Sequence, residues 1–250
     1  MNKNIYKKTF PTFLSIVILL SLWQLCAKKI NSVLILPSFF QVLVVCKKLV
    51  LDSIFWQTFF HTTLRCLTSF VISFIIGLSL GVAGGKSSFI KKMLDVPLCI
   101  IRTTPVIAII LICLYWLSSS SLPIFISVLM NLPVIITSVI QGFSNVDKNL
   151  LNMAQVYNFS FYKKLIYIEL PSCFSNIKAS LISVYGLCWK VVVASEVLCL
   201  PKNALGSLLH INQTHLETDA VMAITILFVI FSMMIERLVK FGVECLCPKI

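Results

Sequence analysis

The sequence predicts an all-α protein, a polytopic membrane helical bundle with about six transmembrane helices. Of the 250 residues, 58% are hydrophobic and only 12% are charged, whereas a soluble domain has roughly 45–50% apolar and about 25% charged residues. The mean hydropathy is +0.98. Because so few charged side chains do not cover a water-facing surface, the composition excludes a soluble globular enzyme, and it excludes intrinsic disorder as well.

The charge balance favours a membrane partner over a nucleic acid. There are 21 basic against 9 acidic residues, a net charge of +12. Basic residues are typical of the cytoplasmic loops of membrane proteins, while nucleic-acid binding requires a basic face on a soluble module. We therefore expect lipid around the bundle and no nucleic-acid partner.

The first predicted span covers the 19 uncharged residues Thr9–Ala27, after the basic start MNKNIYKK. This pattern is also that of a signal peptide. The apolar run is longer than a signal core and no A-x-A-like site follows it, so we expect an uncleaved helix. Residues 28–57 are too polar to span and predict a segment at the membrane surface, with Ser38 as the N-cap of a helix.

The second span is predicted between Arg65 and Lys86, over residues 66–85. Small residues recur within it, at Gly77, Ser79, Gly81 and Ala83, and small residues let membrane helices approach closely. We expect the segment 84–88 to turn the chain.

A run of 44 uncharged residues, Thr103–Val146, predicts two further spans. One continuous helix of that length would extend about 66 Å, roughly twice the hydrocarbon core. The segment Ser118–Pro123 is the expected turn, with spans near 98–117 and 122–142. Pro105 and Pro133 lie inside these spans, where neighbouring helices compensate for the missing donor.

The fifth and sixth spans are predicted at about 176–199 and 220–238. Charged residues within a membrane are costly and suggest a substrate path, so Arg102, Lys190 and Glu196 are candidate pathway residues; the alternative is that they lie near the interface and extend to water. Lys190 and Glu196 are six residues apart, do not share a helical face and are not expected to pair with each other.

The loop charges predict that both termini lie in the cytoplasm. With six spans, thirteen Lys and Arg residues fall on the cytoplasmic side and five on the outer side, which follows the positive-inside rule. The outer five are Lys28, Lys29, Lys47, Lys48 and Lys202.

Other motifs predict neither a metal nor a nucleotide site. The ten cysteines include no C-x-x-C pair, so Cys66, Cys99, Cys113, Cys188 and Cys199 are interpreted as small hydrophobic residues. His210 and His215 are interpreted as loop or interface residues. The stretch Gly84–Ser87 is similar to the end of a phosphate-binding loop but lacks its first glycine and its strand. No cofactor is expected.

The polar stretch 143–172 resembles the cytoplasmic loop of the permease subunits of bacterial ABC importers, whose pattern is E-A-A, three residues, Gly, and later Leu-Pro. Asn152, Met153 and Ala154 stand at the E-A-A positions, Asn158 at the glycine, and Leu170-Pro171 closes the pattern. Asp147 is the expected N-cap, and Asn158 suits a turn with positive φ. Four further features resemble the nitrate/sulfonate/taurine branch of this family: the flanks of the loop, the segment Leu36–Ser38, Trp189 with Glu196, and Leu205-Gly206.

The resemblance implies a type I importer fold in the bacterial cytoplasmic (inner) membrane. It implies residues 1–57 as an N-terminal helix with an external segment, 58–241 as the transmembrane domain with the ATPase-coupling loop 143–172, and 242–250 as a cytoplasmic tail. The implied partners are a separate ABC ATPase, an extracytoplasmic substrate-binding protein and a second permease copy. Ala154 is expected to let the loop lie close to a groove of the ATPase.

Two other classes of membrane protein fit the sequence less well. A stand-alone secondary transporter usually has an internal repeat, and no convincing repeat is present. A membrane-embedded enzyme needs clustered His, Asp or Glu residues, and the three histidines are scattered. The substrate is not determined by the sequence: nitrate, sulfonates, taurine and small vitamin precursors all fit the resembling branch.

Overall fold

A computed structural model describes residues 3–246 of the chain, and within them the side chains of residues 14, 15, 17–147 and 149–242. This range forms α-helices joined by short loops and has no β-strand. The helices are α1 (Lys3–Ile30), α2 (Phe39–Leu51), α3 (Ser53–Lys86), α4 (Ser88–Thr103), α5 (Val106–Cys113), α6 (Leu122–Ser144), α7 (Lys148–Val156), α8 (Phe161–Lys164), α9 (Leu170–Cys199), α10 (Leu205–Thr214) and α11 (Thr218–Leu246). A π-helical turn, Leu165–Glu169, joins α8 to α9.

Four described helical stretches are long and apolar enough to cross a membrane: Ser53–Lys86, Leu122–Ser144, Phe161–Cys199 and Thr218–Gly242. They contain the predicted spans 66–85, 122–142, 176–199 and 220–238. The first predicted span lies within α1, although several of its side chains are outside the described residues. The predicted tail is helical as far as Leu246 in α11, and residues 247–250 lie outside the description.

The predicted third span, 98–117, is wrong as a single helix. Here α4 and α5 meet at an angle of 95°. Pro105 cannot donate a backbone hydrogen bond and disfavours helical backbone in the residue before it; Thr104 is accordingly extended, at φ −75° and ψ 130°. The chain therefore bends at Thr104–Pro105, whereas Pro133 remains inside α6.

The expected turn at 84–88 is also corrected, since Gly84, Gly85 and Lys86 are the last residues of α3. The helix break is confined to Ser87. A Cβ atom on Gly81 would lie 2.6 Å from Cβ of Val139, and one on Gly85 would lie 2.6 Å from the ring of Phe143. These glycines therefore bring α3 and α6 into direct backbone-to-side-chain contact.

Helices α3, α6 and α9 form the centre of the bundle, with α6 packed along both of the others. A fully buried polar network joins them. The Ser127 hydroxyl donates to the Ser69 hydroxyl at 3.0 Å, and the Asn131 amide lies 2.8 Å from the Cys188 sulfur. Because lipid offers no alternative partners, such bonds fix the register of neighbouring membrane helices.

Helix α2 begins where the sequence predicts. The Ser38 hydroxyl accepts from the backbone N–H of Gln41 at 3.4 Å, and the Gln41 side chain accepts from the Ser38 N–H at 2.9 Å, which completes a capping box. The helix does not merely rest on the membrane surface, because Val42 and Cys46 are buried against α11.

Candidate coupling segment and intramembrane charges

The segment 147–169 forms two short helices joined by a tight turn. The Asp147 carboxylate caps α7 by accepting from the Asn149 N–H at 2.8 Å, as the sequence predicts. At the other end Asn158 has φ 50°, which confirms the expected left-handed conformation. Its N–H donates to the Gln155 carbonyl at 3.1 Å, and the Phe159 N–H donates to the Ala154 carbonyl at 2.9 Å. This is a Schellman motif with asparagine in the place usually taken by glycine.

The chain then passes without a break into a membrane-length helix. The Ser160 hydroxyl caps α8, and the π-helical turn continues directly into α9. Leu170 and Pro171 are the first residues of α9. The Leu170 N–H donates to the Leu165 carbonyl across the π-helical turn, and Pro171, which has no N–H to donate, follows directly after it. Helix α8 is therefore joined to α9 by continuous helical backbone.

The two sides of α7 have different surroundings. Ala154 is only 2% exposed and packs with Val146, Ile168 and Cys173 of this same chain. The expectation that Ala154 lies against a partner is therefore corrected: its small size lets α7 lie close to the start of α9. Asn152, Met153 and Asn158 face outward.

The outward side is unusually apolar. Val156, Tyr157, Tyr162 and Tyr167 are each at least 70% exposed, and Met153 and Ile166 of the same segment are 41% and 54% exposed. We call these six residues the exposed coupling face. Exposed apolar and aromatic residues concentrated in one segment are typical of a surface that binds another protein or lipid.

Glu196 is fully buried and has the partner that its position requires. Its carboxylate accepts from the Arg65 guanidinium at 2.9 Å, from the Thr62 hydroxyl at 3.0 and 3.1 Å, and from the Gly206 N–H at 3.1 Å. A Cβ atom on Gly206 would lie 2.4 Å from Cβ of Glu196, so only glycine fits. The carboxylate joins α3, α9 and α10, and these contacts account for the charge without placing it on a path.

Sequence reasoning missed Arg65, which was used only to mark the start of a span. Its guanidinium also donates to the carbonyls of Lys202 and Asn203 at 3.1 and 3.3 Å. The residue stands 131 positions from Glu196, and no local spacing relates the two. Its only sequence signal was a charge at the edge of an apolar run.

Arg102 lies at the end of α4, one turn before the bend. Its guanidinium donates to the Pro133 carbonyl at 3.0 Å and to the Thr137 hydroxyl at 2.9 Å. These bonds tie the end of α4 to the middle of α6. The residue therefore supports the bend.

Lys190, the third candidate pathway residue, is exposed on α9 and lines an open groove. An open groove of about 540 Å³ between α9 and α11 is lined by Lys190, Ser183, Ser232 and Glu236 among others. No salt bridge involves Lys190 within the described residues, and Lys190 and Glu196 do not pair with each other, as predicted.

The cysteines and histidines form no metal site in the described part of the chain. Cys66, Cys113, Cys188 and Cys199 are buried, while Cys99 is exposed. His210 is half-buried and His215 is exposed at the turn after α10.

Long apolar helices around a central bundle, with exposed apolar residues outside it, are typical of a membrane-embedded subunit that binds another protein. Residues 73–242 match the family described as "Binding-protein-dependent transport system inner membrane component". The chain belongs to this family, and it is a transmembrane permease subunit of an ABC importer in the cytoplasmic membrane. Members of the family act with an ATPase and a substrate-binding protein.

Several known permeases are similar to this chain over most of their length. SsuC of Escherichia coli (strain K12), named for aliphatic sulfonates, is 28% identical over 221 residues, which cover 87% of this chain and 83% of SsuC. The nitrate import permease NrtB of Leptolyngbya laminosa is 27% identical over 207 residues, covering 77% and 71%. The taurine transport permease TauC of Escherichia coli (strain K12) is 24% identical over 230 residues, covering 88% and 82%.

Proposed function

We propose that this permease imports a small solute with an anionic group, and that two copies of the chain form the path. Similar permeases are named for the transport of aliphatic sulfonates, nitrate and taurine. The observation that carries the proposal is Lys190, a basic residue at membrane depth that faces an open groove. An ionisable side chain in such a place is costly and is retained where it contacts a path or a ligand.

The groove by itself does not separate a solute from lipid, because it is open on one side of the α9–α11 pair. A second copy of the chain facing it would close the path and would bring a second Lys190 to the same axis. Each copy contributes one Lys190 and one Glu236 to the groove, so in this proposal the two ammonium groups bind an anion directly and the path has no net positive charge. Symmetric pairing of identical chains is also the commonest form of oligomer.

In this proposal, the ATPase transmits the energy for transport to the permease through the exposed coupling face. In this proposal, Asn152, Met153, Asn158 and the aromatic residues of the face contact the ATPase, while Leu170 and Pro171 connect the face to α9. Closure of the ATPases on ATP then moves α7 and α8, and the bundle changes between outward and inward access.

The test is uptake by the complete complex in proteoliposomes. The permease is reconstituted with its ATPase and its binding protein, and taurine, an alkanesulfonate, nitrate and bicarbonate are supplied in turn. We expect ATP-dependent uptake of an anion, which Lys190→Met lowers at least about tenfold and Lys190→Arg largely preserves. Lys92→Met, at an exposed position on α4, is the matched control. Selective uptake of a neutral solute, unchanged in Lys190→Met, would contradict the proposal.

A further inference from the structure

The end of α3 carries a basic residue, Lys86, that has no part in the proposed transport path. Lys86 is the last residue of α3 and follows the two glycines that pack against α6. Its side chain is only 20% exposed. A lysine at the end of a helix ordinarily extends to water, so its burial calls for a partner.

That partner is the coupling segment. The Lys86 ammonium forms an ion pair with Glu169, the last residue of the π-helical turn. It also lies 4.4 Å from the ring centre of Phe161, the first residue of α8, and 5.9 Å from that of Phe143 at the end of α6. One side chain thus contacts α6, α8 and the start of α9.

Two local features bring Lys86 and Glu169 together. Gly85 leaves the space that the Phe143 ring occupies, which lets the end of α3 lie flat on α6. The π-helical turn adds one residue to the helix and rotates the side chains after it by about 100°. Glu169, the last residue of this turn, is only 6% exposed.

Two lysines lie near Glu169, and Lys86 is the better placed of the two. Lys164 also approaches the carboxylate, but its ammonium is 4.0 Å from Oε1 and belongs to the coupling segment itself. Of these two lysines, Lys86 is the one that connects the segment to a different span. A buried pair of this kind contributes little net stability and is better suited to fixing one arrangement of two elements.

We infer that Lys86 is a positioning residue, a latch that holds the coupling segment to the end of α3. The inference rests on the proposed role of that segment in contacting the ATPase. When the ATPase moves α8, the Lys86–Glu169 pair makes α3 move with α9. Without the pair the ATPase still binds the exposed coupling face, but its movement reaches α3 only indirectly, through the packing of α6 and α9.

The variants remove the charge or keep it. Lys86→Met retains the length of the side chain, Glu169→Gln retains its shape, and Lys86→Arg retains both the charge and the contact with the Phe161 ring. Lys91→Met, at an exposed position on α4, is the control. In the complete complex, the measurements are ATPase co-purification, stimulation of ATP hydrolysis by the loaded binding protein, and substrate molecules imported per ATP.

We expect Lys86→Met and Glu169→Gln to co-purify the ATPase normally while importing at least about fivefold less substrate per ATP. The double variant should be no worse than either single one, and Lys86→Arg should restore coupling. Wild-type coupling in Lys86→Met, or a loss of melting temperature with an unchanged import ratio, would overturn the latch. Failure of the wild-type chain to bind an ATPase at all would instead overturn the proposed function, so the two failures are distinguishable.

Discussion

At the scale of single residues, the buried charge of Glu196 is compensated by Arg65, Thr62 and Gly206 acting together. The guanidinium carries the opposite charge, while the hydroxyl and the backbone N–H satisfy the remaining lone pairs. A carboxylate buried among apolar helices is stable only with such a complete set of donors. Glu196 therefore holds the loop 200–205 and the start of α10 against α3.

Replacing Glu196 with alanine should destabilise the fold rather than change selectivity. Removing one partner of a buried ion pair costs about 3–5 kcal/mol, because the other charge is left without compensation. We expect Glu196→Ala to lower the folded yield and the melting temperature of the detergent-solubilised permease. Glu196→Gln should have a smaller effect, since an amide oxygen still accepts from Thr62 and Gly206.

Lys190→Met is the comparison for this prediction, because Lys190 is exposed and its loss leaves no buried charge. It should express and melt like the wild-type chain. A normal melting temperature for Glu196→Ala would show that the carboxylate does not hold these elements together.

At the scale of elements, short-range geometry decides how the helices begin and end. Ser38 and Asp147 cap helices through bonds to residues two or three positions further on, and Asn158 ends α7 by adopting positive φ. Pro105 and Pro133 both lack a backbone N–H, but only Pro105 interrupts its helix. The chain bends at Pro105, where Arg102 fastens the end of α4 to α6, whereas Pro133 is enclosed within α6 by its neighbours.

The turn at Asn158 should tolerate glycine and reject valine. Glycine adopts φ near 50° without strain, whereas a β-branched residue in that conformation costs about 1–3 kcal/mol. We expect wild-type uptake and ATPase co-purification for Asn158→Gly, and loss of both for Asn158→Val at a normal level of inserted protein.

The exposed position of Asn158 makes this comparison a test of backbone conformation, because neither side chain fills a buried space. If Asn158→Val transports at the wild-type rate, the angle between α7 and α8 does not govern contact with the ATPase.

At the scale of the whole molecule, contacts group the loops into two ends. Lys86, Phe143 and Glu169 meet at one end. At the other, Arg65 bonds to the carbonyls of Lys202 and Asn203, and Thr218 bonds to the carbonyl of Leu34. This grouping is the one that the alternating spans require, and the loop charges then predict which end is cytoplasmic.

Cysteine labelling in intact cells tests that orientation. On a cysteine-free background, an impermeant reagent should label cysteines introduced at Ser119 and Asn203 and should not reach those at Ser87 and Asn152. Ser119, Asn152 and Asn203 are exposed. Ser87 is half-buried, so it is also tested after the membrane is permeabilised. Labelling at Asn152 from outside would reverse the predicted topology.

The sequence by itself determined the class of the protein, most of its spans and the local form of the coupling segment. These follow from composition, from the length of uncharged runs and from bonds between residues a few positions apart, all of which are present in the linear order of residues. The tertiary structure alone decided the partner of Glu196, the inward position of Ala154, the bend between α4 and α5 and the contact of Lys86 with Glu169. Each of these joins residues that are distant in the chain or depends on what packs beside a proline or glycine, and no local periodicity encodes such neighbours.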